Sequence, residues 1–119
     1  MIKDGRPYTN ENGSVDDGLM SGKDDATQKA VFGWIDLFLD SRKNFNRLHT
    51  SYGLKHLLQS STGIYLTNNE FKDAMMSCGY LPEDPDALNW VYAISEKSLA
   101  FNSRVMEKVK NLAIRVTVD

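Results

Sequence analysis

One cysteine, Cys78, stands in the whole 119-residue chain, so no internal disulfide can staple the fold. No apolar run reaches the length of a membrane-spanning helix and no signal peptide is legible, so the expected compartment is the cytoplasm. Neither sign of charge dominates. A total of 14 Lys and Arg against 16 Asp and Glu leaves a net −2, which disfavours a uniformly basic nucleic-acid binder while leaving room for a local basic face. Also missing are a phosphate-cradling glycine loop, a nucleophile elbow, a zinc-protease motif, an internal repeat and a sustained heptad. These absences point away from an enzyme and from any cofactor. The sequon Asn12-Gly13-Ser14 matters only in a secretory pathway, which nothing else in the chain indicates. What is present is ordinary for one globular domain, with 41% apolar and 25% charged residues. A chain of this length buries roughly two-thirds of its unfolded surface and folds without staples.

Most local order lies between Ser51 and Ser95. Leu54, Leu57 and Leu58 form an i, i+3, i+4 stripe on a helix starting near Ser51, and Gly63 stops it. Ile64-Tyr65-Leu66 reads as a short strand. Thr67-Asn68-Asn69-Glu70 matches a capping box, and Phe71, Ala74, Met75 and Cys78 continue as one inward face up to Gly79, where a left-handed residue is wanted. Tyr80-Leu81 and Trp90 to Ile94 then read as a hairpin around a polar loop containing Pro82 and Pro85, with Trp90, Tyr92 and Ile94 on one face.

The flanks differ in charge. Residues 1 to 27 hold four glycines and six acids with few apolar groups, so residues 1–25 are expected to be a mobile acidic arm and residues 26–119 the domain. Ala26 to about Asp40 is a helix apolar on most sides, led by Val31, Trp34, Ile35 and Phe38, and is expected at the core. Ser41 to Asn69 contains Arg42, Lys43, Arg47 and Lys55 and no acid. Ser98 to about Arg115 reads as an amphipathic helix whose Phe101, Val105, Val109 and Leu112 offer a homodimer face, opposite Arg104, Lys108 and Lys110. Val116-Thr117-Val118 can end that helix or be extended.

Metal chemistry finds little support. His49, His56 and Cys78 lack the close pairing of zinc ligands, and Glu83, Asp84 and Asp86 miss the spacing, glycine and terminal glutamate of a calcium loop. Cys78 fits a small core residue. The order helix, helix, capped helix, hairpin instead suggests a mainly α fold with a small β-hairpin, resembling a winged helix-turn-helix. On that reading Asn69 and Lys72 face outward from the capped helix and join Arg42, Lys43, Arg47 and Lys55 as nucleic-acid contacts. Asp73 and Met76 fit such a surface poorly, and a wing carrying Glu83, Asp84 and Asp86 would repel phosphate; Met76, Glu83, Asp84 and Asp86 suit a protein partner instead.

The run SYGLKHLLQSSTGIYLTNNEFKDAMMSCGY, followed by NWVYAISEKS, resembles a motif of short accessory proteins of phages and other bacterial mobile elements. The match spans Ser51 to Ser98, less than half of the chain. The resemblance implies a bacterial cytoplasm and one of two roles. One is DNA binding as a regulator or replication accessory. The other is blocking a host nuclease in the manner of anti-CRISPR proteins, through the acidic arm or the loop Glu83 to Asp86.

Overall fold

The computed structural model describes residues 1–11 and 13–118, with side chains throughout except Glu11 and residues 113–118. The Asn12 sequon and the side chains of Arg115 and Val116 therefore lie outside the described residues. Two small hairpins open the chain, β1 (Ile2–Lys3) with β2 (Arg6–Pro7) and β3 (Thr9–Glu11) with β4 (Ser14–Asp16). Asp4 and Gly5, both at positive φ, make the first turn. A 3₁₀ turn, Met20–Gly22, leads to α1 (Asp25–Phe38), β5 (Ser41–Thr50), α2 (Ser51–Thr62) and α3 (Asn68–Ser77). After a long loop come β6 (Val91–Ile94), a 3₁₀ turn at Leu99–Phe101 and α4 (Ser103–Val118).

Local chemistry explains the helix ends. Asp24 caps α1 by accepting from the Thr27 N–H at 2.7 Å. Gly63 ends α2 in the left-handed region, at φ 78°, where a Cβ would be strained. At α3 the Thr67 hydroxyl accepts from the Glu70 N–H and the Glu70 carboxylate accepts from the Thr67 N–H, completing the capping box read from the sequence.

The core collects Val31, Trp34 and Ile35 of α1, Leu54 and Leu58 of α2, Phe71, Ala74 and Met75 of α3, and Trp90, Tyr92 and Ile94. Each large side chain fully buried here contributes about 1.5–3 kcal/mol. Trp34 remains hydrogen-bonded inside it, donating its indole N–H to the Ser61 hydroxyl at 3.0 Å.

These elements overturn the mainly helical, winged helix-turn-helix-like class. The protein is mixed α/β, with four helices and three two-stranded antiparallel sheets among the described residues. The strand around Trp90 to Ile94 does form, but its partner is β5, not Tyr80-Leu81. The ribbon therefore brackets α2 and α3 instead of following them as a wing. Ile64 to Leu66 is a connection without strand pairing, with Leu66 buried.

β5 escaped the sequence reading because its two bulges destroy the period of two that marks a strand. Its register pairs Ser41 with Ile94, Asn46 with Tyr92 and Thr50 with Val91. Residues 42–45 thus face only Ala93, and residues 47–49 have no opposite number. Both excursions are held internally. Arg42 donates to the carbonyls of Asn44 and Phe45, at 2.9 and 3.1 Å, closing the first. Asn46, buried between them, donates to the Ile94 carbonyl at 3.1 Å and to Glu96, and accepts from the Leu48 N–H at 3.0 Å.

Candidate functional site

α3 was to have been the outward reading helix, yet it is the most enclosed element of the molecule. Its apolar face fills the core, and the two N-terminal hairpins with the Met20 turn lie across its polar face. Lys72 is 0% exposed, donates to the Thr9 hydroxyl at 2.8 Å and lies 4.9 Å from the Trp90 ring centroid. Asn69 accepts from the Thr9 hydroxyl and donates to the carbonyls of Pro7 and Gly18. Asp73 accepts from Arg6 at 2.7 Å and from the Met20 N–H at 2.8 Å. Asp16 accepts from the Thr67 hydroxyl and the Asn69 N–H, and Lys23 pairs with Glu70 at 3.2 Å. Glycine at position 18 permits that approach, since a Cβ there would stand 3.2 Å from the Glu70 Cγ. The segment read as a mobile acidic arm thus lies docked on α3, and Asn69 and Lys72 are sealed beneath it, out of reach of any nucleic acid. Sequence reasoning missed this because the arm's polar groups match those of α3 one by one, a complementarity invisible to composition.

Three of the other four expected phosphate contacts are also buried or engaged within the fold. Lys55 is buried, with its ammonium 5.4 Å from the Tyr52 ring and 5.1 Å from the Tyr65 ring. Arg42 closes its own bulge, and Arg47 makes a two-pronged ion pair with Glu83. Lys43 is exposed on the first bulge beside Phe45.

That Arg47–Glu83 pair joins the second β5 bulge to the loop between α3 and β6, and the joined surface is the strongest candidate for function. Leu48 on the bulge is 79% exposed, and on the loop Leu81 is 63% exposed and Leu88 is also exposed. Between those leucines Asp84 and Asp86 are exposed, and among the described residues no cation makes an ion pair with either. The Asp84 carboxylate accepts from the Asp86 N–H at 3.0 Å, and the Trp90 indole donates to the Pro85 carbonyl at 3.2 Å, so the loop has a defined shape. Apolar side chains ringed by charges are the composition of a protein contact. Met76, the other residue proposed for such a contact, is half-buried against the core.

A second concavity, of about 640 Å³, lies between β5, α2 and α4 and has Leu57, Ala100, Phe101 and Met106 on its walls. At its rim His49 stacks on Phe101, centroids 3.8 Å apart, and its Nε2 sits 2.7 Å from the Glu96 carboxylate. That contact is out of line for a hydrogen bond, so it is an ion pair only when the imidazole is protonated. Hydrogen bonding from Asn46 is the main cause that lowers the Glu96 pKa. Phe101, Val105 and Val109, read as a dimer face, pack partly against the protein's own core, while Leu112 is exposed.

Cys78, at the end of α3, is half-buried, and desolvation, with Asp36 nearby, pushes its thiol up to about 11. His49, His56 and Cys78 do not come together, and the described residues contain no group of three or more metal-ligating side chains. No helix among them is long and apolar enough to cross a membrane. No family model, curated protein or solved structure matches the chain.

Proposed function

We propose that this chain is a non-catalytic protein-binding inhibitor, an accessory of a phage or other mobile element acting in the bacterial cytoplasm. Its loop Glu83 to Asp86 would enter a basic groove on a host nuclease. One observation carries the choice of partner. Of the five cations expected to meet phosphate, Lys55 and Lys72 are buried, Arg42 and Arg47 are engaged within the fold and Lys43 alone is exposed, whereas Asp84 and Asp86 are exposed on a loop with Leu81 and Leu88 that Arg47 ties to the bulge carrying exposed Leu48. Duplex binding draws on several free cations at once. A groove built to hold nucleic acid attracts the opposite pattern, carboxylates with an apolar anchor.

The test is a pull-down from nuclease-treated bacterial lysate with wild type, the double variant Asp84→Asn/Asp86→Asn, and Leu48→Asp. Capture of a nuclease that persists without nucleic acid and is lost in both variants is the expected result. Capture that disappears on nuclease treatment, or is unchanged in the variants, overturns the reading. A second reading, DNA binding, draws on exposed Arg104, Lys108 and Lys110 of α4. Mobility-shift affinity falling steeply with salt, and weakened by neutralising those three, would favour it.

A further inference from the structure

Among the described residues Lys55 and Lys72 are the buried cations, and their surroundings differ. Among those residues the Lys55 ammonium makes no hydrogen bond and no ion pair. It lies instead over two tyrosine rings, Tyr52 and Tyr65. Those rings are themselves 53% exposed at Tyr52 and 59% at Tyr65. Together with Val15, Asp16, Thr67 and Asn68 they bound an open groove of about 450 Å³. Asp16, Thr67 and Asn68 of that groove are hydrogen-bonded inside the fold. Both Asp16 oxygens accept from the start of α3, and Asn68 bonds to Ser51, the Leu88 carbonyl and Asn89. Tyr52 is also held from the side by His56, edge to face at 4.5 Å. The groove therefore offers an incoming molecule two flat apolar faces and one ammonium with its donors uncommitted.

We propose that this groove is a nucleotide-binding subsite, in which an aromatic base stacks on Tyr65 and its phosphate meets Lys55. Stacking needs ring faces open to solvent, which these are, and a buried ammonium without an acceptor gains more from a phosphate oxygen than a hydrated one does. The volume lies within the range of sites that hold small ligands. Asp16 stands in the groove wall as a fixed negative charge, so a singly charged phosphodiester is repelled less than a doubly charged phosphate. The ligand is thus a nucleotide, free or within a single strand, and a single subsite does not need the row of free cations that duplex binding requires.

Calorimetric titration of the full chain with adenosine 5′-monophosphate, adenosine, inorganic phosphate and a short single-stranded oligodeoxyadenylate tests this. Binding of the monophosphate well above that of adenosine or phosphate supports the site with a free nucleotide as ligand. Binding of the oligonucleotide alone supports it with a strand as the source. Lys55→Met, which keeps the buried stem, and Tyr65→Leu, at an exposed position that folding tolerates, should each weaken binding about tenfold. Absence of binding to both nucleotide ligands at millimolar concentration, or binding unchanged in either variant, overturns the proposal and leaves Lys55 a structural lysine packed between rings.

Discussion

The polar face of α3 and the bulged rim of β5 are both rich in polar and charged side chains, and they serve opposite ends. On α3 every one of Asn69, Glu70, Lys72 and Asp73 meets a partner from the first 23 residues and is closed off from water. On β5 one buried residue, Asn46, organises a surface on which almost everything else is exposed. Polar residues on a helix are a sign of solvent only when nothing else in the chain can match them. Here the arm does, and the helix that most resembled a recognition element became the centre of the fold.

The contrast breaks most visibly at Asp73. Asp73→Ala leaves the Met20 N–H buried without its acceptor and Arg6 without its carboxylate, which should cost about 3 kcal/mol in urea unfolding. The same exchange at the rim, Lys43→Ala, should stay within about 0.5 kcal/mol. Equal losses at the two sites would mean that the arm contributes little to holding α3. A smaller loss, about 1 kcal/mol, is expected for Thr67→Ala, which removes the hydroxyl that caps α3. Because Thr67 and Glu70 cap reciprocally, Thr67→Ala/Glu70→Ala should fall short of the sum of the single losses, and full additivity would rule out coupling within the box.

Several local signals carried through to the fold because their chemistry is contained in a few neighbouring residues, although the short strands read at Ile64 to Leu66 and Tyr80-Leu81 did not form. The capping box at Thr67, the glycine stop at Gly63, the α1 core stripe and the inward set Trp90, Tyr92 and Ile94 were all legible for that reason. What was not legible is pairing at a distance. The arm meets α3 across some sixty positions of sequence, as in the Thr9 to Asn69 bond, and β5 meets β6 across about fifty. Neither leaves a periodic trace, because a polar interface has no apolar period and a doubly bulged strand has no period at all. The same limit governs the candidate surface. Glu83, Asp84 and Asp86 stood out as a charged loop, but the neighbouring leucine on the β5 bulge is brought there by the Arg47–Glu83 pair, which only the fold reveals.

Acid sharpens the comparison from the other side, through the rim's own organiser. The Asn46 amide donates to Glu96, and this bond, helped by His49 and Arg42, holds the exposed Glu96 carboxyl below its ordinary 4.5. A depressed folded pKa means that this contribution is present above the unfolded value and is lost as pH falls through the folded one. Wild type should therefore lose more of its urea midpoint than Glu96→Gln between about pH 5 and about pH 3, and the two should be parallel above that window. The effect is small because the group is exposed and screened. If the two titrate in parallel throughout, Glu96 does not buttress Asn46, and the bulges of β5 are held by Arg42 and by the remaining Asn46 bonds to Ile94 and Leu48.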